Sequence, residues 1–477
     1  HRDARGKCLQ LARCRRHTVA VGTTKVPPGA HPATRSGSVG REPVLLRGAL
    51  WTGWRLLQVA GVAAMALLVY RLFGLDHHPI YRLDVDVYRM GGQAWLDGVR
   101  LYGETGSIRL ITEDNTHLAF TYPPLAAILF SGFAMVSLAT ATSIITAITL
   151  VLLLCAIYLV LDALDVWPQW AITGESAATR RAWLALIITG FASLHLEPIS
   201  SNFGYGQINV VIMTMVLADC LPKRTLLPRG LLVGLAIAIK LTPAVFILYF
   251  VIKRDWRAVG TSAVSCGLAT ATAFAFASRD SLDYWFGVVG NTGSRIADLR
   301  LNTNQNILSF LARLPLPDGI RGPLWILLSV LVLGLVIWAT RRAVIAGYDT
   351  LAVACVALLA LLTSPISWSH HWVWVVPIVI STAVVGYRQR KVFLLVVSAI
   401  GVAVTKWPHI EMLPSGNEWS APWWRQLVGT SYVWWALSVT AAVGLTVRLS
   451  SDESTGPTTK PAPELVDQDI PGSSDAC

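Results

Sequence analysis

The sequence has few charged residues. Asp, Glu, Lys and Arg together make up only 14% of its 477 residues, and 54% are hydrophobic. Soluble domains carry about 25% charged residues, so this chain has too little charge to cover a water-facing globule. A soluble enzyme, a disordered protein and a nucleic-acid-binding module are therefore poor fits. The composition predicts an integral membrane protein built from helices.

Several motifs are missing as well. The seven cysteines have no metal-ligand spacing, and the chain has neither a glycine-rich nucleotide-binding loop nor a recognisable internal repeat. The missing repeat weighs against a transporter built from inverted halves. A lipid or sugar transporter or flippase remains the alternative from another class. We expect no cofactor, and the sequence leaves a metal requirement open.

The basic residues are concentrated at the N-terminus. The net charge is +11, and residues 1–55 hold eleven Lys and Arg against two acidic residues. Because this segment directly precedes the first apolar run, the positive-inside rule predicts a cytoplasmic arm over residues 1–50 rather than a nucleic-acid partner. We predict that this arm and the Pro-, Thr- and Ser-rich tail over residues 451–477 are disordered and cytoplasmic.

Apolar runs fill residues 51–450, the predicted membrane domain. A span needs about 20 apolar residues, and we predict an all-α integral membrane bundle with about 11–13 membrane segments. The candidate runs are residues 56–73, 124–140, 143–164, 182–197, 206–221, 230–252, 258–277, 323–340, 349–363, 371–386, 391–405 and 427–447.

Clusters of Lys and Arg assign the loops to the two sides of the membrane. The basic loops, predicted to be cytoplasmic, contain residues 223–229, 253–257, 341–342 and 388–391. The predicted outer loops are residues 74–123, 278–304, 364–370 and 406–426. We therefore predict a multi-pass protein of the cell membrane with both termini inside.

Two places break the simple alternation of spans. The run 230–252 has basic loops at both ends, so we predict two half-helices with a turn at residues 240–243. Lys240 would then lie at membrane depth, where an unpaired ammonium is costly, and a lipid phosphate is its natural partner. Upstream, three apolar runs separate two external segments, so one of the three is predicted to be re-entrant or peripheral.

The first external loop is long and polar, which a transporter does not need. Its apolar spacing predicts a short helix over residues 87–96 that lies along the membrane face. Asp84 and Asp86 stand just before this helix, and one of them could cap it. Alternatively, one could act as a general base while the other orients it, since residues two apart on an extended chain face the same way.

Further polar groups lie at predicted outer helix ends. Amide side chains suit sugar hydroxyls, and two adjacent histidines beside a tryptophan suit a ligand site. Helix capping and interhelical hydrogen bonds are the structural alternative. The candidate residues in these groups are Gln207, Asn209, Asn304, Gln305, Trp368, His370 and His371.

Five motifs follow one another along the chain. They are Asp84-x-x-Val87-Tyr88, Thr121-Tyr122-Pro123-Pro124, Gly206-Gln207-x-Asn209, Lys240-x-Thr242-Pro243 and Ser364-Pro365-x-Ser367-Trp368-x-His370-His371-Trp372. In this order they resemble the actinobacterial polyprenol-phosphate-mannose-dependent mannosyltransferases, which have the multispanning GT-C fold. The resemblance extends over about residues 50 to 450.

The resemblance implies a β-mannosyl-1-phosphoryl-polyprenol donor, an external active site and inversion to an α linkage. It also implies membrane lipids as partners. The catalytic aspartate of the family corresponds to Asp84, and Asp86 inside the same motif leaves the assignment open between the two. The histidine of the family corresponds to His370 or His371.

The residues agree with this chemistry. A polyprenyl phosphate leaves without being protonated, so one carboxylate base suffices for an inverting displacement. The charge that develops on the phosphate needs stabilisation. The candidates for that role are Lys240, His370, His371 and Arg82. The candidates for binding the rest of the substrates are Tyr88, Gln207, Asn209, Asn304, Gln305 and Trp368.

Three stretches indicate the acceptor. Residues 196–199, 204–209 and 431–435 resemble most those family members that add α-(1→2)-linked mannose to the mannan core of lipomannan and lipoarabinomannan. The resemblance therefore implies a mannan or lipomannan acceptor and a role in building the cell envelope. Extension of phosphatidylinositol mannosides is the nearest alternative.

Overall fold

A computed structural model describes residues 44–74, 81–102, 110–111, 117–166, 174–290 and 298–447 of the chain. The predicted tail lies outside the described residues, as does most of the predicted basic arm. The first helix begins at Val44, before the predicted end of the arm at residue 50. The described residues from Leu50 onward belong to one compact unit.

Most of the described chain is helical. They are α1 (Val44–Leu72), α2 (Leu83–Leu96), α3 (Pro124–Ala134), α4 (Leu138–Ala163), α5 (Ala177–His195), α6 (Glu197–Tyr205), α7 (Asn209–Cys220), α8 (Leu231–Ile239), α9 (Ile247–Lys253), α10 (Trp256–Phe276), α11 (Ser278–Asp283), α12 (Ile307–Arg313), α13 (Asp318–Ile345), α14 (Asp349–Thr363), α15 (Val375–Arg388), α16 (Val392–Lys406), α17 (Trp423–Gly429) and α18 (Ser431–Thr446).

Shorter elements complete the described fold. Two two-residue strands, β1 (Leu110–Ile111) and β2 (His117–Leu118), pair antiparallel. The remaining short helices are 3₁₀ turns at Thr242–Phe246, Ser369–Trp374, His409–Met412 and Glu418–Ser420, and a π turn at Tyr284–Val288.

Apolar helices long enough to cross a membrane confirm the predicted all-α, multispanning class. Among the described residues, five helical stretches pass by length and composition: Leu50–Leu72, Leu138–Ala163, Trp256–Phe276, Asp318–Ile345 and Ser369–Arg388. If each of two bent helix pairs is counted as one span, the number is seven. The pairs are α5 with α6, bent by 79°, and α17 with α18, bent by 59°. The other apolar helices are shorter.

The structure describes both segments where the sequence breaks the simple alternation of spans. Helix α3 has 11 residues and is therefore about 16 Å long, too short for a hydrocarbon core of about 30 Å. Of the three upstream runs, it is the one whose helix is too short to span by itself. Downstream, α8 ends at Ile239, Lys240 is extended, and a 3₁₀ turn follows from Thr242. The helix is thus interrupted at residues 240–243, where the sequence predicts a break.

Helix α2 differs from its prediction. It begins at Leu83, and Arg82 stands at its N-cap without a side-chain capping bond. Asp84 and Asp86 therefore lie inside the first turn rather than on an extended stretch before it. Residues two positions apart on a helix are rotated by about 200° around its axis, so the side chains of Asp84 and Asp86 point in different directions. The capping alternative and the expected shared orientation of the two carboxylates are both wrong.

Helix α2 approaches α3 closely. Its Gly91 and Gly92 are buried, and a Cβ on Gly92 would come within 2.6 Å of the backbone nitrogen of Ser131 on α3. Apolar side chains from both helices, including Val85 and Phe130, share one hydrophobic cluster. Helix α2 is consequently part of the packed structure.

A left-handed glycine joins α6 to the segment before α7. Gly206 has φ of +73°, a region that other residues rarely adopt. A Cβ at this position would lie 2.3 Å from Cγ2 of Val85 on α2. Gly206 therefore sets both the direction of the chain after α6 and its distance from α2.

We predict that Gly206→Ala lowers the free energy of unfolding by about 1–3 kcal/mol, because alanine is strained at positive φ and its Cβ overlaps Val85. Gly204→Ala is the matched control, since nothing lies within 4 Å of a Cβ on this helical glycine. Thermal unfolding of the detergent-solubilised protein measures both. Equal midpoints for Gly206→Ala and wild type would contradict this description of the turn.

Candidate active site

A cavity of about 740 Å³ lies between α2, α6 and several loops. It brings together residues from eight separate parts of the chain. The polar residues on its wall are Asp84, Thr121, Tyr122, Glu197, Ser201, Tyr205, Gln207, Lys240, Thr242, Tyr284, Asn302, Thr303, Ser364, Trp368, Ser369, His370, His371 and Glu411.

The two aspartates of α2 have different surroundings. Asp84 is half-buried and lines the cavity. Asp86 is only 3% exposed, does not line the cavity, and its Oδ2 accepts a hydrogen bond of 3.1 Å from the hydroxyl of Tyr81. Their opposite directions follow from the helical turn. Of the two candidates, only Asp84 can reach a molecule in the cavity.

A buried hydrogen-bond network supports Asp84. The hydroxyls of Tyr88 and Tyr122 lie 3.0 Å apart, and both donate to Oε1 of Gln207, at 3.2 and 3.1 Å. Since Oε1 is occupied, the amide group of Gln207 is left to donate the side-chain hydrogen bond that Asp84 receives. The network therefore fixes the position of the Asp84 carboxyl group and of the Gln207 amide group that donates to it.

Burial raises the pKa of the Asp84 carboxyl to about 6. The hydrogen bond from Gln207 and the charge of Lys240 both act against burial and lower this pKa. A carboxyl with a pKa close to neutral can accept a proton in a reaction and still be ionised beforehand. The desolvation and the nearby cation are the features expected of a functional carboxylate.

Lys240 supplies the cavity with positive charge. It is extended between α8 and the following 3₁₀ turn, and its Nζ donates a 2.8 Å hydrogen bond to Oδ1 of Asn209. The same ammonium lies 5.4 Å from the centre of the Tyr122 ring. Among the described residues of this wall, it is the only Lys or Arg. The break in the helix thus places a cation beside Asp84.

The histidines and Trp368 also line the cavity. The ring of His370 lies 4.9 Å from those of Tyr205 and His371, measured between centres. Asn209 donates a 3.0 Å hydrogen bond to the main-chain oxygen of His370. Because Asn209 also accepts from Lys240, it ties the cation to the histidine segment.

Six predicted residues lie behind the cavity wall rather than on it. They are Arg82, Asp86, Tyr88, Asn209, Asn304 and Gln305. Arg82 is 1% exposed, and its guanidinium donates to the main-chain oxygen of Leu72, so it does not reach a ligand in the cavity. Tyr88 and Asn209 act through Gln207 and Lys240, as described above.

Asn304 and Gln305 hold the loop that lines the cavity. Oδ1 of Asn304 accepts a 2.8 Å hydrogen bond from the backbone of Ser367, and the backbones of Asn304 and Trp368 form an isolated β-bridge. Nε2 of Gln305 donates to the main-chain oxygens of Asn302 and Gly429, both at 2.8 Å. The expected sugar contacts of these amides are replaced by contacts within the protein.

Sequence reasoning missed several residues of the wall. Glu197, Ser201, Ser369 and Glu411 line the cavity together with the candidates above. Glu197 begins α6 directly before a proline, which is the ordinary composition of a helix start and gives no functional signal. Within the described ranges, no three His, Cys, Asp or Glu side chains are grouped so that they could hold a metal ion.

Comparisons with known proteins agree on one family. The model of glycosyltransferase family 87 matches residues 120–365. A polyprenol-phosphate-mannose-dependent alpha-(1-2)-phosphatidylinositol mannoside mannosyltransferase of Mycobacterium tuberculosis is 49% identical over 412 residues, which cover 86% of this chain and 95% of that protein. A protein of Mycolicibacterium smegmatis with the same name is 51% identical over 399 residues, which cover 82% and 89%.

A more distant relative has a related name. It is a polyprenol-phosphate-mannose-dependent alpha-(1-2)-phosphatidylinositol pentamannoside mannosyltransferase of Mycolicibacterium smegmatis. It is 32% identical over 367 residues, which cover 74% of this chain and 82% of that protein. No solved structure matches the chain significantly.

We predict that the infrared band of a protonated carboxyl disappears as the pH rises through about 6 and that Asp84→Asn removes it. An ordinary aspartate would lose the band near pH 4. In Gln207→Leu the midpoint should move upward, because the lost hydrogen bond stabilises the charged form. Asp86→Asn is the control and should keep the band. A wild-type midpoint near pH 4 would contradict the burial of Asp84.

Proposed function

The chain belongs to glycosyltransferase family 87, and we propose that it transfers mannose from polyprenyl-phosphate-mannose to a phosphatidylinositol mannoside, forming an α-(1→2) linkage with inversion. The names of the relatives at about 50% identity support this donor, this acceptor class and this linkage. They favour the phosphatidylinositol mannosides over the lipomannan and lipoarabinomannan core, which the sequence motifs placed first.

The observation that carries the proposal is the meeting of Asp84 and Lys240 at one cavity. The charge of Lys240 acts on the Asp84 carboxyl, so the two side chains lie close enough to serve one reaction. A base must face the hydroxyl that attacks, and a cation must face the phosphate that leaves. Both residues line this cavity.

Asp84 acts as the base in the proposed mechanism. Its carboxylate takes the proton from the acceptor hydroxyl while the acceptor oxygen attacks the anomeric carbon of the donor. Attack from the face opposite the phosphate converts the β-mannosyl donor into an α-mannoside in one step. The pKa of about 6 leaves Asp84 largely ionised at neutral pH and still basic enough to receive the proton.

Lys240 and the histidines face the leaving group. The bond between the anomeric carbon and the phosphate oxygen breaks with its electron pair on that oxygen, so negative charge grows on the polyprenyl phosphate. The Lys240 ammonium stabilises this charge. His370 and His371 line the same cavity. Nε2 of His370 has no hydrogen-bond partner among the described residues and binds the phosphate as a donor. The ring of His371 donates to the main chain of Ile366 and contributes to the shape of the site. The polyprenyl phosphate then leaves unprotonated.

We place the reaction at the extracytoplasmic surface of the membrane. Four tryptophans, Trp407, Trp419, Trp423 and Trp424, are exposed on the segment 407–424. This segment also contributes Pro408, Ile410 and Glu411 to the cavity. Tryptophan is enriched at membrane–water interfaces. The basic loops of the sequence support a cytoplasmic location for the opposite ends of the helices. This location lets the lipid donor and a lipid-anchored acceptor reach the cavity from the membrane.

The proposal is tested with the purified full chain in lipid nanodiscs, radiolabelled polyprenyl-phosphate-mannose, and phosphatidylinositol mannoside or lipomannan as acceptor. We expect label in the phosphatidylinositol mannoside, in a linkage that an α-(1→2)-specific mannosidase removes. Preferential labelling of lipomannan would overturn the acceptor, and a β linkage would overturn inversion. Absence of transfer to either would overturn the function.

We expect Asp84→Asn to reduce kcat by about 10²–10⁴, because a general base contributes a factor of that size. Asp86→Asn is the matched control on the same helical turn, and its amide oxygen still accepts from Tyr81. It should keep kcat within a factor of about three, well below the contribution of a base. Initial rates at saturating donor and acceptor measure both. Equal losses in the two variants would sink the assignment of Asp84.

A further inference from the structure

The cavity has a second carboxylate that the proposed mechanism does not use. Glu197 stands at the first position of α6 and is half-buried on the cavity wall. Its Oε2 accepts a 2.9 Å hydrogen bond from the hydroxyl of Tyr432 on α18. Ser201 and Ser369 also form side-chain hydrogen bonds with Glu197, and both serines line the cavity.

Glu197 has hydroxyl partners but no cation. Among the described residues, no Lys, Arg or His interacts with its carboxylate. A carboxylate removed from water without a counter-ion is costly, so a purely structural link between α6 and α18 would not require a charge. A carboxylate does have about four acceptor positions. Three protein hydroxyls leave room for at least one hydroxyl of a ligand.

The position of Glu197 relative to Asp84 follows from α6. Glu197 begins this helix of nine residues, and Gln207, which holds Asp84, follows directly after its C-cap Gly206. The two ends are about 13 Å apart along the helix. Tyr205 is close enough to interact electrostatically with both Asp84 and Glu197. The two carboxylates therefore line one cavity together with Tyr205.

Charge decides which substrate Glu197 can accept. Lys240 acts on Asp84 but does not act on Glu197, so Glu197 lies farther from the cation that faces the donor phosphate. A carboxylate beside the phosphate would repel it. An uncharged sugar or cyclitol ring fits better, since it offers adjacent hydroxyls as donors and an apolar face for the exposed Tyr205 ring.

We propose that Glu197, with Ser201 and Ser369, binds hydroxyls of the acceptor glycan, on the ring next to the one whose hydroxyl attacks. Glu197 is thus a positioning residue that places the attacking hydroxyl at Asp84 and selects a polyol acceptor. The inference rests on the proposed function, because it assumes that the cavity joins a lipid-phosphate sugar to an acceptor glycan.

Glu197→Gln tests the proposal, with Tyr432→Phe as the matched control. Glutamine keeps the size and the acceptor for Tyr432 but loses the charge. Phenylalanine removes the Tyr432 hydrogen bond and keeps the carboxylate. We expect the KM for phosphatidylinositol mannoside to rise about tenfold or more in Glu197→Gln, as for loss of a charge-assisted hydrogen bond. The KM for polyprenyl-phosphate-mannose should stay within twofold, and both constants should be near wild type in Tyr432→Phe.

Acceptors that lack single hydroxyls make the test specific. The wild type should bind one such deoxy acceptor as poorly as Glu197→Gln binds the full acceptor, and the variant should not distinguish the two. A structural role for Glu197 would give the same penalty with every acceptor. Glu197→Asp should recover part of the affinity, because it restores the charge on a shorter side chain.

Two results would overturn the inference. The first is an unchanged acceptor KM in Glu197→Gln, and the second is a rise in the donor KM instead. Calorimetric titration of the same proteins with phosphatidylinositol mannoside measures acceptor binding without any transfer. If the wild type binds the acceptor more tightly than Glu197→Gln does but forms no product, only the proposed function is overturned. A wild type that forms product without this difference in binding would sink the inference alone.

Discussion

The site depends on holding one carboxyl group where little water reaches it. Without a partner, the Asp84 side chain could rotate toward the packed side of α2, or burial could keep it protonated. The network of Tyr88, Tyr122 and Gln207 opposes both outcomes, because Gln207 holds the carboxyl group in place and stabilises its charged form. Because the Tyr88 hydroxyl also accepts from the backbone nitrogen of Ile208, the network fastens α2 to the segment between α6 and α7. The polar groups of the network satisfy one another, so their burial costs little.

Hydrophobic runs predicted the helices well where each run stands alone. The run 349–363 coincides with α14, and the interruption at residues 240–243 is found where Lys240 and Pro243 fall in an apolar stretch. The prediction failed where two runs follow closely, as at α3 and α4, because hydropathy reports apolar content and not where a helix ends. The short length of α3 therefore could not be read from composition.

The sequence predicted which types of residue form the site but not which way their side chains point. Asp84 and Asp86 could not be separated, because Arg82 gives no capping signal and the start of α2 stayed hidden. Amides in similar sequence contexts took opposite places: Gln207 faces the cavity, whereas Gln305 holds a loop behind it. Glu197 escaped notice because its partner Ser369 and most of the cavity that it lines come from distant parts of the chain.

The short helix α6 connects the two halves of the site mechanically. It leaves α5 at a bend of 79° and has Glu197 at one end and Gly206 at the other. A packed helix of this length moves as a rigid body, so a tilt about its middle displaces its two ends in opposite directions. Under the proposed roles of Glu197 and Asp84, a substitution or small molecule that tilts α6 would change acceptor affinity and the reactivity of Asp84 together, so this helix offers a site for inhibition from outside the cavity.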